Sequence, residues 1–79
     1  MMEQSDTYLE KYDHAKNLAR FYHLSIMPNL FGEWTLCRQW GRIGHAGQSR
    51  LDLFANQQEA QNAFDALRRA KLKRNYTLT

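Results

Sequence analysis

The chain has 79 residues, 43% of them hydrophobic and 13% aromatic, with a formal charge of +3 and one cysteine. That length supports a single domain over residues 1–79 with a small core, and excludes a second domain. The lone Cys37 excludes an internal disulfide, no apolar stretch is long enough to cross a membrane, and Met1-Met2-Glu3-Gln4-Ser5-Asp6 carries no secretion signal, so the cytoplasm is the expected location.

Residues 1–5 are expected to fray. Thr7-Tyr8-Leu9-Glu10-Lys11-Tyr12 mixes aromatic and charged residues and predicts a first strand, at a sheet edge. Asp13-His14-Ala15-Lys16-Asn17 has few large apolar residues and predicts a turn. Residues 20–27 alternate, with Tyr22, Leu24 and Ile26 on one face and Phe21, His23, Ser25 and Met27 on the other, which is a strand pattern. Pro28-Asn29 stops it, and Leu30-Phe31-Gly32 folds the chain back antiparallel onto a central strand.

That strand runs from Glu33 to Gly44 and holds both tryptophans, Trp34 and Trp40. Gly44-His45-Ala46-Gly47 turns the chain again, into a last strand from Gln48 to Phe54 with Leu51, Leu53 and Phe54 as apolar contributors. A helix starts at Asn56-Gln57-Gln58-Glu59, where Asn56 caps and Glu59 supplies the acidic half of a capping box. Ala60, Ala63, Phe64, Leu67 and Ala70 recur at helical spacing as one apolar stripe. Asn75 suits a left-handed exit, after which Tyr76 and Leu78 return to close the bottom of the core. The fold class is therefore α+β: about four antiparallel strands in a meander, with one long C-terminal helix packed on one face.

Charge is unevenly spread. Residues 1–33 carry three Lys/Arg against five Asp/Glu, whereas residues 34–79 carry eight against three. Such asymmetry suits an anionic partner, nucleic acid above all. Arg38 and Arg42 share the parity of Trp40, so a cation stands two positions either side of an indole, an arrangement able to hold a sugar, base or phosphate. Unbroken alternation puts Trp34, Leu36, Arg38, Trp40 and Arg42 on one face. Trp40 is then either core, or carried past the helix by strand twist, or re-aimed by a bulge near Gly41. Lys71 falls on the apolar stripe, so either its stem lies over the core and its ammonium projects past the helix end, or the ammonium reaches the ligand surface. Arg50, Lys16, Asn17, Arg20 and Lys73 complete the candidate nucleic-acid-binding set.

Catalysis finds no footing. Cys37 lies within a strand with no histidine near it in sequence, and no carboxylate pair or serine motif stands out. His14, His23 and His45 are too scattered to suggest a metal site, and the spacing of Gly41, Gly44 and Gly47 fits a hairpin better than a phosphate loop, so no metal or cofactor is expected. Dimerisation through a sheet edge or apolar patch is a further source of stability open to so short a chain.

Trp40-Gly41-Arg42 followed by Ile43-Gly44, with Phe21-Tyr22-x-Leu24 upstream, resembles the WGR domain. Leu30-Phe31-Gly32-Glu33-Trp34, Gly47-Gln48, Glu59-Ala60 and the Lys71 to Tyr76 ending extend the resemblance over roughly residues 8–76. That family occurs in poly(ADP-ribose) polymerases, in bacterial regulator-like proteins and as small freestanding proteins, the kind this chain is expected to be. The resemblance implies DNA binding at breaks, with Trp40 packing on a terminal sugar, Arg42 contacting phosphate or a protein partner, and Gly41 admitting close backbone approach. Two residues depart from the pattern. Asn75 replaces a glycine common in bacterial relatives, and Ala19 stands where the polymerases have asparagine, with Asn17 two residues away. The alternative function is a protein-interaction module that docks on a DNA-processing enzyme through Arg42.

Overall fold

In the computed structural model, residues 5–78 are described. The period-two stretches form β1 (Asp6–Asp13), β2 (Leu18–Pro28), β3 (Trp34–Arg42) and β4 (Gln48–Phe54); the period-3.6 stretch forms α1 (Gln57–Lys73). A two-residue β5 (Thr77–Leu78) follows, and the single antiparallel sheet has the order β4-β3-β2-β1-β5. The sheet thus has five strands instead of about four. The fifth forms because Asn75, at φ 71, reverses the chain and lays Thr77 and Leu78 beside Glu10 and Leu9. β1 is consequently covered over Leu9 and Glu10, where an open edge was expected. Leu78 is 55% exposed and does not close the core, because its pairing with β1 is made by backbone; Tyr76 does pack against the core.

Each tight connection is built by short polar residues. Asp13 caps a 3-10 turn (His14–Lys16) by accepting hydrogen bonds from the amides of Ala15 and Lys16, and Asn17 leaves it in the left-handed region at φ 51. The Asn29 side-chain oxygen accepts from the amides of Phe31 and Glu33, each at 2.9 Å, which shapes the β2–β3 loop. Residues 1–4 lie outside the described residues. Ser5, grouped with them as frayed, is tied down: its carbonyl accepts from the Ile26 amide at 2.8 Å and its hydroxyl donates to Gln61.

The core lies on the face under α1. Leu9, Tyr22, Leu24, Ile26 and Leu36 of the sheet meet Ala60 and Phe64 of the helix, with Trp34, Trp40, Phe54, Ala63, Leu67 and Tyr76 packed around them. The helix begins where expected: Asn56 accepts from the Glu59 amide at 2.9 Å. Its stripe ends at Leu67, since Ala70 is exposed. On the other face Phe21 is also buried, because the Tyr8 ring stacks parallel to it at 5.9 Å. Leu51 and Leu53 are apolar contributors of β4 but lie outside the core. They pair with Cys37 and Thr35, on the face opposite the helix, and are 67% and 60% exposed. Among the described residues no helix is long and apolar enough to cross a membrane.

Candidate nucleic-acid interface

The registers place side chains in rows across the sheet. Leu9, Tyr22, Trp40 and Gln48 form one row on the helix side; Lys11, Arg20 and Arg42 form the next row of that side. The helix stops at the first of these. Lys71 Nζ sits 4.4 Å from the Tyr22 ring centre, and the Tyr76 ring meets Tyr22 edge-on at 6.3 Å. Beyond that point the sheet continues uncovered, and a cleft of about 420 Å³ opens, lined by Lys16, Asn17, Leu18, Ala19, Arg20, Trp40, Gly41, Arg42, Gln48 and Tyr76.

Trp40 is half-buried. Its indole stacks on Tyr22 with ring centres 6.1 Å apart and planes 21° from parallel, and it also lines the cleft. Pairing is continuous from Arg20–Arg42 to Pro28–Trp34 and from Trp40–Gln48 to Trp34–Phe54, so no bulge re-aims it. Trp40 keeps the parity of Trp34 and Leu36 and reaches the cleft because β3 runs on past the helix.

Gly41 serves the hairpin. A Cβ on it would come within 2.7 Å of the Gly47 Cα, and one on Gly47 within 2.2 Å of the Trp40 carbonyl oxygen. These two glycines let the β3–β4 connection fold tightly against its own strand. The Ile43 amide donates to the Ala19 carbonyl at 3.0 Å, so the hairpin base is held to β2 beside the cleft.

The charges divide into two groups. Lys16, Arg20 and Arg42 are exposed at the cleft and form no ion pair among the described residues. Arg20 and Arg42 stand directly opposite one another across β2 and β3. Like charges at such a position repel, and an anion between them removes the penalty. Arg38 and Arg50 are not brought to the cleft. Arg38 donates to Asp52 at 3.0 Å with its side chain only 19% exposed, and Arg50 donates to the other oxygen of Asp52 at 3.2 Å. Lys73 is exposed in the last turn of α1, outside the cleft lining.

Lys71 is not among the residues that line the cleft. Its ammonium lies over Tyr22 and 5.6 Å from the Tyr76 ring centre, behind the aromatic wall of the cleft and outside its lining. Burial lowers its pKa, and Arg74, Arg38 and Lys11 lower it further by repulsion. Lys11, absent from the candidate set, sits 5.7 Å from the Tyr76 ring centre. Leu18, Gln48 and Tyr76 also line the cleft without having been singled out as binding residues. For Lys11 and Gln48 the signal lies in strand register: Lys11 stands opposite Arg20, and Gln48 opposite Trp40.

His23 Nε2 lies 2.7 Å from Asp6 Oδ1, on the face opposite the helix. Among the described residues no group of three or more His, Cys, Asp or Glu side chains is placed to hold a metal ion.

The WGR domain family matches residues 5–79. The chain is similar to the uncharacterized protein y4dW of Sinorhizobium fredii (strain NBRC 101917 / NGR234), 46% identical over 69 residues that cover 87% of this chain and 34% of that protein. It is also similar to the human protein mono-ADP-ribosyltransferase PARP3, 30% identical over 60 residues covering 76% of this chain and 11% of that protein. The chain thus spans about a third or less of the length of these relatives.

Proposed function

This chain belongs to the WGR domain family, and on that premise we propose that it is a non-catalytic nucleic-acid-binding module, for DNA ahead of RNA, with the Trp40 cleft as its receptor. One observation carries the reading: Arg20 and Arg42 face each other, without a counter-ion among the described residues, beside an indole whose far side is backed by Tyr22. Two guanidinium groups so placed hold a phosphate, and the backed indole offers a rigid apolar edge for the adjoining sugar or base. A cleft closed on one side by the helix end accommodates a terminus or interruption more readily than a continuous duplex. Ends, nicks and single strands are the expected targets.

Titration of tryptophan fluorescence with a short single strand, a nicked duplex and an intact duplex, at low and moderate salt, tests this. Binding should be strongly salt-dependent and favour the interrupted forms. Arg20→Gln and Arg42→Gln should each lower the slope of log affinity against log salt by about 1. No response to any of them at low salt would overturn the reading and favour a protein partner docking at Arg42.

A further inference from the structure

We propose that β4 is a self-pairing edge through which two copies of this chain join their sheets. β4 ends the sheet, and among the described residues nothing pairs with its outer side. It is seven residues long, Gln48-Ser49-Arg50-Leu51-Asp52-Leu53-Phe54. It has no proline, no lysine and no bulge, three devices that guard such an edge, and its charged residues are Arg50 and Asp52 alone.

Symmetry restricts how it can pair. Two copies joined antiparallel edge to edge are related by a two-fold axis perpendicular to the sheet, so each residue meets one of its own parity on the same face. With the axis at Leu51, Leu51 meets its own copy, Ser49 meets Leu53 and Gln48 meets Phe54. Arg50 then meets Asp52 twice, once on each side of the axis. Moving the axis to Arg50 or to Asp52 sets like charges face to face, which disfavours both registers. Arg50 is the one base and Asp52 the one acid in the strand, already paired within the chain, and the Leu51 register sets each against its opposite charge in the second copy as well.

The opposite face of the strand adds an apolar seam. Leu51, 67% exposed in the single chain, would cover its own copy across the axis, with Leu53, 60% exposed, diagonal to it. A strand pair of this length falls short of a standard interface of about 1,600 Å², so the dimer is weak and depends on concentration. Both copies keep their helices and clefts on one side of the joined sheet. Of the β4 residues only Gln48 lines the cleft, so the dimer stands or falls independently of what the cleft binds.

Disulfide trapping in the full chain reads the register directly. In a Cys37→Ser background, which removes a thiol opposite position 51, Leu51→Cys should cross-link with itself on mild oxidation. Across the axis the two Cα atoms lie about 4.5–5.5 Å apart, within disulfide range. Ser49→Cys alone and Leu53→Cys alone should not, since each is about 13 Å from its own copy. A mixture of those two variants should yield the mixed dimer. All three positions are exposed, so the fold tolerates the changes. Sedimentation of the unmodified chain should show mass rising with concentration, and Arg50→Asp should abolish that rise. A Leu51→Cys protein that cross-links no faster than Ser49→Cys, or an unmodified chain that stays monomeric to millimolar concentration, overturns the proposal.

Discussion

Trp40 contributes one face to the core and one side to the cleft, and both follow from where it sits along β3. Truncation there should act on stability and on binding, so binding must be read on protein shown to be folded. Trp40→Ala is expected to weaken binding to a nicked duplex by about 1–3 kcal/mol, the worth of a stacking contact, and binding to an intact duplex much less. Trp40→Phe should retain most of the affinity. Equal loss on both duplexes would remove end recognition from the reading.

Lys71 offers a second test at the same scale. Its pKa lies below the ordinary 10.5 of lysine because burial, and then Arg74, Arg38 and Lys11, disfavour the charge. Between that lowered value and 10.5 the unfolded chain holds more protons than the folded one, so stability gains with rising pH across the interval. Urea unfolding of the wild type and of Lys71→Met, at neutral pH and near pH 10.5, should show the wild type gaining relative to the variant at the higher pH. A constant difference would mean that the ammonium is not under strain where it lies.

Arg38 separates structural from binding charge. Its guanidinium is engaged by Asp52 and largely covered. Arg38→Gln should lower stability by about 1–3 kcal/mol, the cost of stranding a partly buried partner, and leave the salt slope of nucleic-acid binding unchanged. A flattened slope would return Arg38 to the interface.

At the scale of elements, the hairpin and the helix each depend on a single residue type. Gly47 sits at φ 74 with the Trp40 carbonyl where a side chain would go. Gly47→Ala should therefore cost more than the 1–3 kcal/mol of backbone strain alone, and should disturb the cleft because it pushes on the Trp40 backbone. Asn56→Ala removes the cap that accepts from the Glu59 amide and should cost about 1 kcal/mol, with no effect on the cleft at the far end of α1. Thermal unfolding of both variants, beside fluorescence titration, separates the two effects.

For the whole molecule, what matters is that the sheet is longer than the helix that covers it. α1 buries one end of the face and halts at Tyr22, and the bare remainder presents Arg20 and Arg42. If β4 joins two copies, two such clefts open on the same side. A Leu51→Cys cross-linked dimer should then bind a duplex long enough to reach both clefts at least tenfold more tightly than one that reaches a single cleft.

Much of this was legible in the chain. Alternation in residues 20–27, the turn residues at 28–32 and 44–47, and the Asn56 cap with its apolar stripe specify the strands, the meander and the helix, because each is a local preference. The Trp40-Gly41-Arg42 tripeptide and its flanks point to the family. What the chain could not tell was which members of one alternating face lie under the helix. Arg38 and Arg42 have the same parity and the same charge. Only the end of α1 against Tyr22, and the position of Asp52 across the sheet, make one a covered ion pair and the other an open cation. β5 likewise depends on the reversal at Asn75 meeting the backbone of β1. Periodicity assigns a face; where cover stops along that face is a matter of packing between elements far apart in sequence, and packing decided it here.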